Sequence, residues 1–380
     1  SFNVQYLYVI FIFILITYLL SGRLNINSIK LLTPHYAYLL IMFFLLFTTI
    51  VLFDGGVNAL LSFGIYTFPI LTWSIFYSSV NKISYSKLFV SSYFLSCLIG
   101  YIGIFQFFIE PTLFGFIPLN SNGLIWASGT SFDEYSSFFR ATSVLGSPQV
   151  FGLFCALNLI LALRFKVFIS KKLFYFGIVG LGIGGALSWN KAFFLIVLLY
   201  ITITHYRLLF TNYKVLLFLL GFTYMFLVKY QDIMEILPLV ERIFSLEVIL
   251  EQALSHDGRL DRYLYALQNS NLFIGEGLGI IENQSTGDLQ ASESYFLQIY
   301  YEAGAFTMFV FLFICSLSYI KARFHDSRDS LIIALIIFGM VVVNAFSSPA
   351  FFIIWGYLFS VIFLTSPRQQ NKNMKYINAK

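Results

Sequence analysis

Apolar runs long enough to cross a membrane dominate this chain. A spanning helix uses about 20 residues, and a sliding hydropathy window gives eleven spans, near 4–20, 36–53, 57–79, 88–109, 148–163, 173–188, 191–205, 214–228, 294–320, 330–346 and 349–365. The polar tetrapeptide Ser188-Trp189-Asn190-Lys191 barely separates the sixth from the seventh. Loops are short, with two exceptions: a first outer loop at 110–147 and a larger one at 229–293. Long polar insertions in a tight bundle are where function is expected. In the larger loop, Asp232 to Leu254 sets Ile233, Leu237, Val240 and Phe244 on one face and reads as a helix lying on the membrane surface. The pattern predicts an all-α polytopic membrane protein, a single integral domain over 1–380 whose large loop contains short helices. It holds no internal repeat, low-complexity tract or separate soluble domain.

Composition agrees. Hydrophobic residues make up 59% and charged residues 11%, against about 45–50% and 25% in soluble domains. Nucleic-acid binding and cytoplasmic enzymes are thereby excluded as function classes. Cys97, Cys155 and Cys315 all lie in apolar runs, so no disulfide or metal framework is legible.

Charge orients the spans. Arg23, Lys30, Lys82, Lys87, Arg164, Lys166, Lys171, Lys172, Arg207, Lys214, Lys321, Arg323, Arg328 and the four tail cations share one side. That side holds seventeen of the 23 Lys and Arg but only Asp326 and Asp329 of the 18 acids. By the positive-inside rule it is cytoplasmic, and both long loops lie outside. The N-terminus then falls outside without a basic anchor, and residue 1 is Ser. Two explanations stay open: a missing N-terminal piece carrying a twelfth span, or a miscounted span. No cleavable signal is evident, because the first run is too long and lacks a basic leader.

Six cations remain on the acidic outer face: Arg140, Lys191, Lys229, Arg242, Arg259 and Arg262. Lys229 ends a span and Arg242 adjoins Glu241, so anchoring and local pairing account for both. Arg259 and Arg262, three apart, share a helix face while Leu260, Leu264 and Leu267 form a separate stripe. Two guanidinium forks on one site suit a pyrophosphate, and an ion-pair net with Asp257 and Asp261 is the alternative. Gly275-Glu276-Gly277-Leu278-Gly279 could bring backbone amides to a phosphate, although no βαβ unit surrounds it. Arg140 lies one turn outside the helix start Ser147-Pro148, as site cation or interfacial anchor. Lys191 is open to the same two readings. Glu293 and Glu302 occupy the outer start of span 294–320, where ionisable groups are functional candidates. Glu302 could instead line a polar cleft structurally. The four His residues, and the lack of HExxH, DxD, Walker and CxxC patterns, leave metal, ATP and redox chemistry without support in the sequence.

Four segments resemble one family. Arg140-Ala-Thr-Ser-Val-Leu-Gly-Ser-Pro-Gln-Val-Phe-Gly152 is similar to the R-x-x-G-x-x-x-x-P-N-x-x-G approach to a span in O-antigen polymerases of the Wzy type and in O-antigen ligases. Ala186-Leu-Ser-Trp-Asn-Lys191-Ala192 resembles their S-x-S-R-x-A outer turn, with Lys for Arg. Gly258-Arg259, followed by Phe273-Ile-Gly275-Glu-Gly277-Leu-Gly279, resembles their R…P-L-x-G-x-G-x-G loop, and Glu293-Ser-Tyr-Phe-Leu-Gln-Ile-Tyr-Tyr-Glu302-Ala-Gly304 the segment opening the next span. The order matches over about residues 130–310. Where ligases carry His-Asn, this chain has Glu293-Ser294, as many polymerases do, which tilts the resemblance toward polymerase.

The resemblance implies a GT-C-like membrane glycosyltransferase in the bacterial cytoplasmic membrane, its site facing the periplasm or exterior. It would join polyprenyl-pyrophosphate-linked repeat units, donor and acceptor both lipid-borne, into a surface polysaccharide such as O-antigen or capsule. No cofactor, metal, nucleotide sugar or nucleic acid enters, and a flippase and a chain-length regulator are the implied partners. Arg140, Lys191, Arg259 and Arg262 would hold the pyrophosphate, with Arg140 and Arg259 also catalytic. Glu293 would be the base, with Asp133, Glu134 and Glu302 as competitors, and Gly275, Gly277, Gly279 and Glu302 would support the site. A ligase acting on another acceptor is the nearest alternative. A flippase is more distant, because flippases carry cations within spans and have short loops on both sides.

Overall fold

The computed structural model describes residues 84–109, 141–145, 147–211, 264, 267, 268, 275, 294–343 and 349–362, and every regular element among them is helical. The main helices are α1 (Ser84–Phe108), α2 (Pro148–Arg164), α3 (Lys171–Leu187), α4 (Lys191–Thr211), α5 (Tyr295–His325), α6 (Ser327–Val342) and α7 (Phe352–Ile362). They coincide with the runs expected at 88–109, 148–163, 173–188, 191–205, 294–320, 330–346 and 349–365. The runs at 4–20, 36–53, 57–79 and 214–228, and most of both long loops, lie outside the described residues. Two described segments are long and apolar enough to cross a membrane: Phe89–Phe108 in α1, 20 residues, and Tyr295–Phe324 in α5, 30 residues.

Polar residues end these helices where the pattern breaks. Ser147 is extended at the N-cap of α2, with Pro148 as first helical residue, where its missing N–H costs nothing. Ser170 caps α3 by accepting from Leu173 N at 3.3 Å. Asp326 ends α5 and starts α6, accepting from Arg328 N at 2.8 Å, so one residue makes the hairpin.

The described residues fall into two compact units, one within Val90–Gln268, which holds α1 from Val90 onward, and one that joins the segment up to Phe89 to Asn269–Lys380. In the first, α2 is central, with every residue from Phe151 to Ala162 buried, as expected of a helix apolar all round. Its one polar interior side chain, Asn158, donates to Phe154 O at 2.9 Å and accepts from Ser96 Oγ of α1 at 3.1 Å. α1 and α3 cross backbone to backbone. A Cβ on Gly100 would lie 2.7 Å from Gly180 O, and one on Gly184 would lie 2.7 Å from Gly100 O. Small residues at a crossing allow this approach.

In the second unit, Tyr295 and Phe311 of α5 and Trp355 of α7 form a ring triangle with centroids 5.6–5.8 Å apart. Tyr357 of α7 donates to the buried Asp329 of α6 at 2.8 Å. Beyond Gly304, α5 turns Phe306, Phe309 and Phe313 outward at helical spacing, an apolar face suited to lipid.

The α1–α3 crossing gives a paired prediction. Gly100→Val should lower stability by about 1–3 kcal/mol, the usual cost of overpacking. At Gly182 of α3 an added Cβ meets nothing within 4 Å. Gly182→Ala should therefore be neutral or stabilising by up to about 1 kcal/mol. Thermal unfolding of the purified protein in detergent reads both.

Candidate functional site

Two polar clusters interrupt the apolar core. The first, in the Val90–Gln268 unit, forms where α3 ends and both α2 and α4 begin. α3 closes at Ser188, and Trp189 then takes a left-handed φ of 48°, its N–H bonding Ala186 O at 3.0 Å. That conformation is one glycine usually occupies at a helix end. Asn190 caps α4, its Oδ1 accepting from Ala192 N at 3.0 Å while its Nδ2 donates to Gln149 O in the first turn of α2 at 2.6 Å. A Cβ on Gly152 would sit 2.5 Å from Ser188 Oγ and 2.6 Å from Asn190 Cβ, so only glycine lets α2 approach the turn this closely.

The chain leading into α2 joins the same cluster. Ala141 N donates to Leu187 O at 3.1 Å. Ser143 also has a left-handed φ, 51°. It is held by its N–H on Gln106 Oε1 at 2.7 Å and its Oγ on Ile99 O at 2.7 Å. Thr142 gives Gln106 Oε1 both its N–H, at 3.1 Å, and its hydroxyl, at 3.2 Å. Gln106 is 1% exposed and therefore serves this turn rather than solvent. Lys191 is the first residue of α4 and half-buried. The positive ends of two helix dipoles beside an ammonium favour an anion.

The second cluster, in the Asn269–Lys380 unit, lies around a break in α5. Gly304 has φ 79° and ψ 171°, outside the helical range, and the Ala303 carbonyl accepts from Thr307 Oγ at 2.9 Å. Just before the break, Glu302 is fully buried and accepts from Gln298 Nε2 at 3.2 Å. Gln298 Oε1, also buried, has no hydrogen-bond partner among the described residues. Gly275, with φ 76°, packs on the same point: a Cβ there would lie 2.6 Å from Glu302 O and Ala303 N.

Two pairs of segments singled out in the sequence thus meet. Segment 140–152 touches 186–192 through the Ala141–Leu187 and Asn190–Gln149 bonds, and the glycine loop touches the Glu302 segment through Gly275. Leu264 and Leu267 are helical and exposed. Arg140, Arg259, Arg262, Gly277, Gly279 and Glu293 lie outside the described residues, as do Asp133, Glu134, Lys229 and Arg242. Sequence reading missed Gln106, Gln298 and the break at Gly304. The signal available was a single amide in each of two apolar stretches, Ile104-Phe105-Gln106-Phe107 and Tyr295-Phe-Leu-Gln298. Comparison of the chain with protein-family models, curated proteins and solved structures finds no match.

The first cluster predicts a graded series. Asn190→Ala removes both the cap and the bond to Gln149 O and should cost about 1–2 kcal/mol. Asn190→Ser keeps a cap acceptor and loses only the bond to Gln149 O, so it should cost less; equal unfolding midpoints for the two variants would contradict the dual role. At the second cluster, Gly275→Ala meets both a strained φ and backbone contact, and should destabilise by about 1–3 kcal/mol in the same assay.

Proposed function

We propose that this chain is a membrane glycosyltransferase that polymerises polyprenyl-pyrophosphate-linked oligosaccharide repeat units on the outer face of the bacterial cytoplasmic membrane. The observation that carries the reading is the pairwise meeting of family-like segments, 140–152 with 186–192 and Gly275 with Glu302. These segments are distant in sequence, and each resembles a segment of the same family. The full chain is proposed as an eleven-span bundle with 110–147 and 229–293 outside, on the strength of the hydropathy pattern and the charge asymmetry, and as GT-C-like on the strength of the family resemblance.

The chemistry asked of the site is modest. A leaving pyrophosphate needs preorganised cations, and Lys191 at a double helix N-terminus is one such group. Arg140, Arg259 and Arg262 are proposed as the others. A sugar hydroxyl is a poor nucleophile, so a carboxylate within reach assists by taking its proton. Glu293 is proposed for that step, and buried Glu302, bonded by Gln298, for support of the segment that follows it.

Surface glycan from a deletion strain, run on a gel, tests the function: single repeat units on the acceptor are expected. Complete absence of glycan indicates a flippase or ligase instead. Complementation with Arg259→Ala, Arg140→Ala or Lys191→Ala should leave chains short, whereas Arg242→Ala should restore normal length. Glu293→Gln keeps shape and hydrogen bonding but cannot take the proton, so near-normal chains from it would remove Glu293 from the base role. Labelling of a cysteine placed at 285 only from the cytoplasmic side would overturn the topology.

A further inference from the structure

We infer that Gln106 is a positioning residue for the reaction, acting through the Thr142–Ser143 turn on the segment that carries Lys191; the inference rests on the proposed polymerase reading. Gln106 belongs to none of the family-like segments and lies in an apolar helix, where an amide is costly unless fully used. Its use here is concentrated, since one oxygen, Oε1, accepts from Ser143 N at 2.7 Å, Thr142 N at 3.1 Å and Thr142 Oγ at 3.2 Å.

The turn it holds is strained. Ser143 is a non-glycine residue at φ 51°, and such a conformation persists only where surrounding bonds over-determine it. The Oε1 bonds and the 2.7 Å bond from Ser143 Oγ to Ile99 O supply that determination, all anchored on α1. One residue earlier, Ala141 N bonds Leu187 O, the last residue of α3 before the turn at Ser188–Asn190. The path from Gln106 to the start of α4 is therefore a chain of direct hydrogen bonds and short covalent links. A second left-handed residue, Trp189, lies within it. Two left-handed non-glycine residues thus flank one hydrogen bond, and each persists only because its surroundings fix it.

Gln106→Met keeps the side-chain volume but removes the strong acceptor, leaving two buried N–H groups without their partner. With purified protein and carrier-linked repeat units, kcat should fall on the order of 10- to 100-fold while KM stays within about twofold, because displaced cations lose the transition state before the ground state. Gln106→Glu, which restores the acceptor, should recover most of kcat. A merely structural role predicts instead that activity falls only with the amount of folded protein and that kcat of the folded fraction is unchanged. That result overturns the assignment. Should Gln106→Met fail to fold, Gln106→Asn carries the test. It shortens the side chain by one methylene and draws the acceptor away from the Thr142 and Ser143 N–H groups, so a comparable fall in kcat is expected, with unchanged kcat overturning the inference. Wild-type protein that forms no polymer overturns the polymerase reading and this assignment together. Active wild type beside a folded, equally active Gln106→Met overturns the assignment alone.

Discussion

A peptide N–H or C=O that leaves a helix among apolar neighbours has no water to bond, so the protein must supply its partner. That constraint organises the described residues. At several places where a helix starts, stops or breaks, a side-chain amide, hydroxyl or carboxylate stands at the gap: Asn190 at α4, Asp326 between α5 and α6, Thr307 below the break at Gly304, and Gln106 under the turn before α2. Ser96 and Asn158 do the same between helices, linking α1 to α2. Of these, Asn190 and Gln106 belong to the first cluster and Thr307 to the second.

Glycine answers the opposite need, closeness without a side chain. Gly152 lets the first turns of α2 approach the Ser188–Asn190 turn, and Gly275 lets its loop rest on the backbone at Glu302. A methyl group at either position would force atoms apart that are otherwise 2.5–2.6 Å from its Cβ. The two clusters therefore share one design: a helix end or break, an amide beside it, and a glycine that brings a second segment into contact. The first presents positive helix ends and Lys191, which suit an anion. The second holds a buried carboxylate and a buried amide at the break in its helix.

Local interactions made much of this legible from residues alone. A helix satisfies its own backbone, so an apolar run is enough to find it, and the seven runs within the described residues emerge as helices near their expected bounds, two of them long and apolar enough to cross a membrane. Ser147-Pro148 marked the start of α2, and the tetrapeptide 188–191 marked the gap between α3 and α4, because caps and turns depend on neighbours a few residues away. Lys191, Glu302 and Gly275 were legible as ionisable or conformationally free residues in unusual places. What only the tertiary structure decided was pairing: that Gln106 serves a turn 36 residues on, that Asn190 bonds Gln149, and that Gly275 lies against Glu302. Those contacts join chain segments whose separation carries no periodicity, and an amide or a glycine in the sequence does not name its partner. Chain proximity set the helices, and packing chose which of their ends would meet.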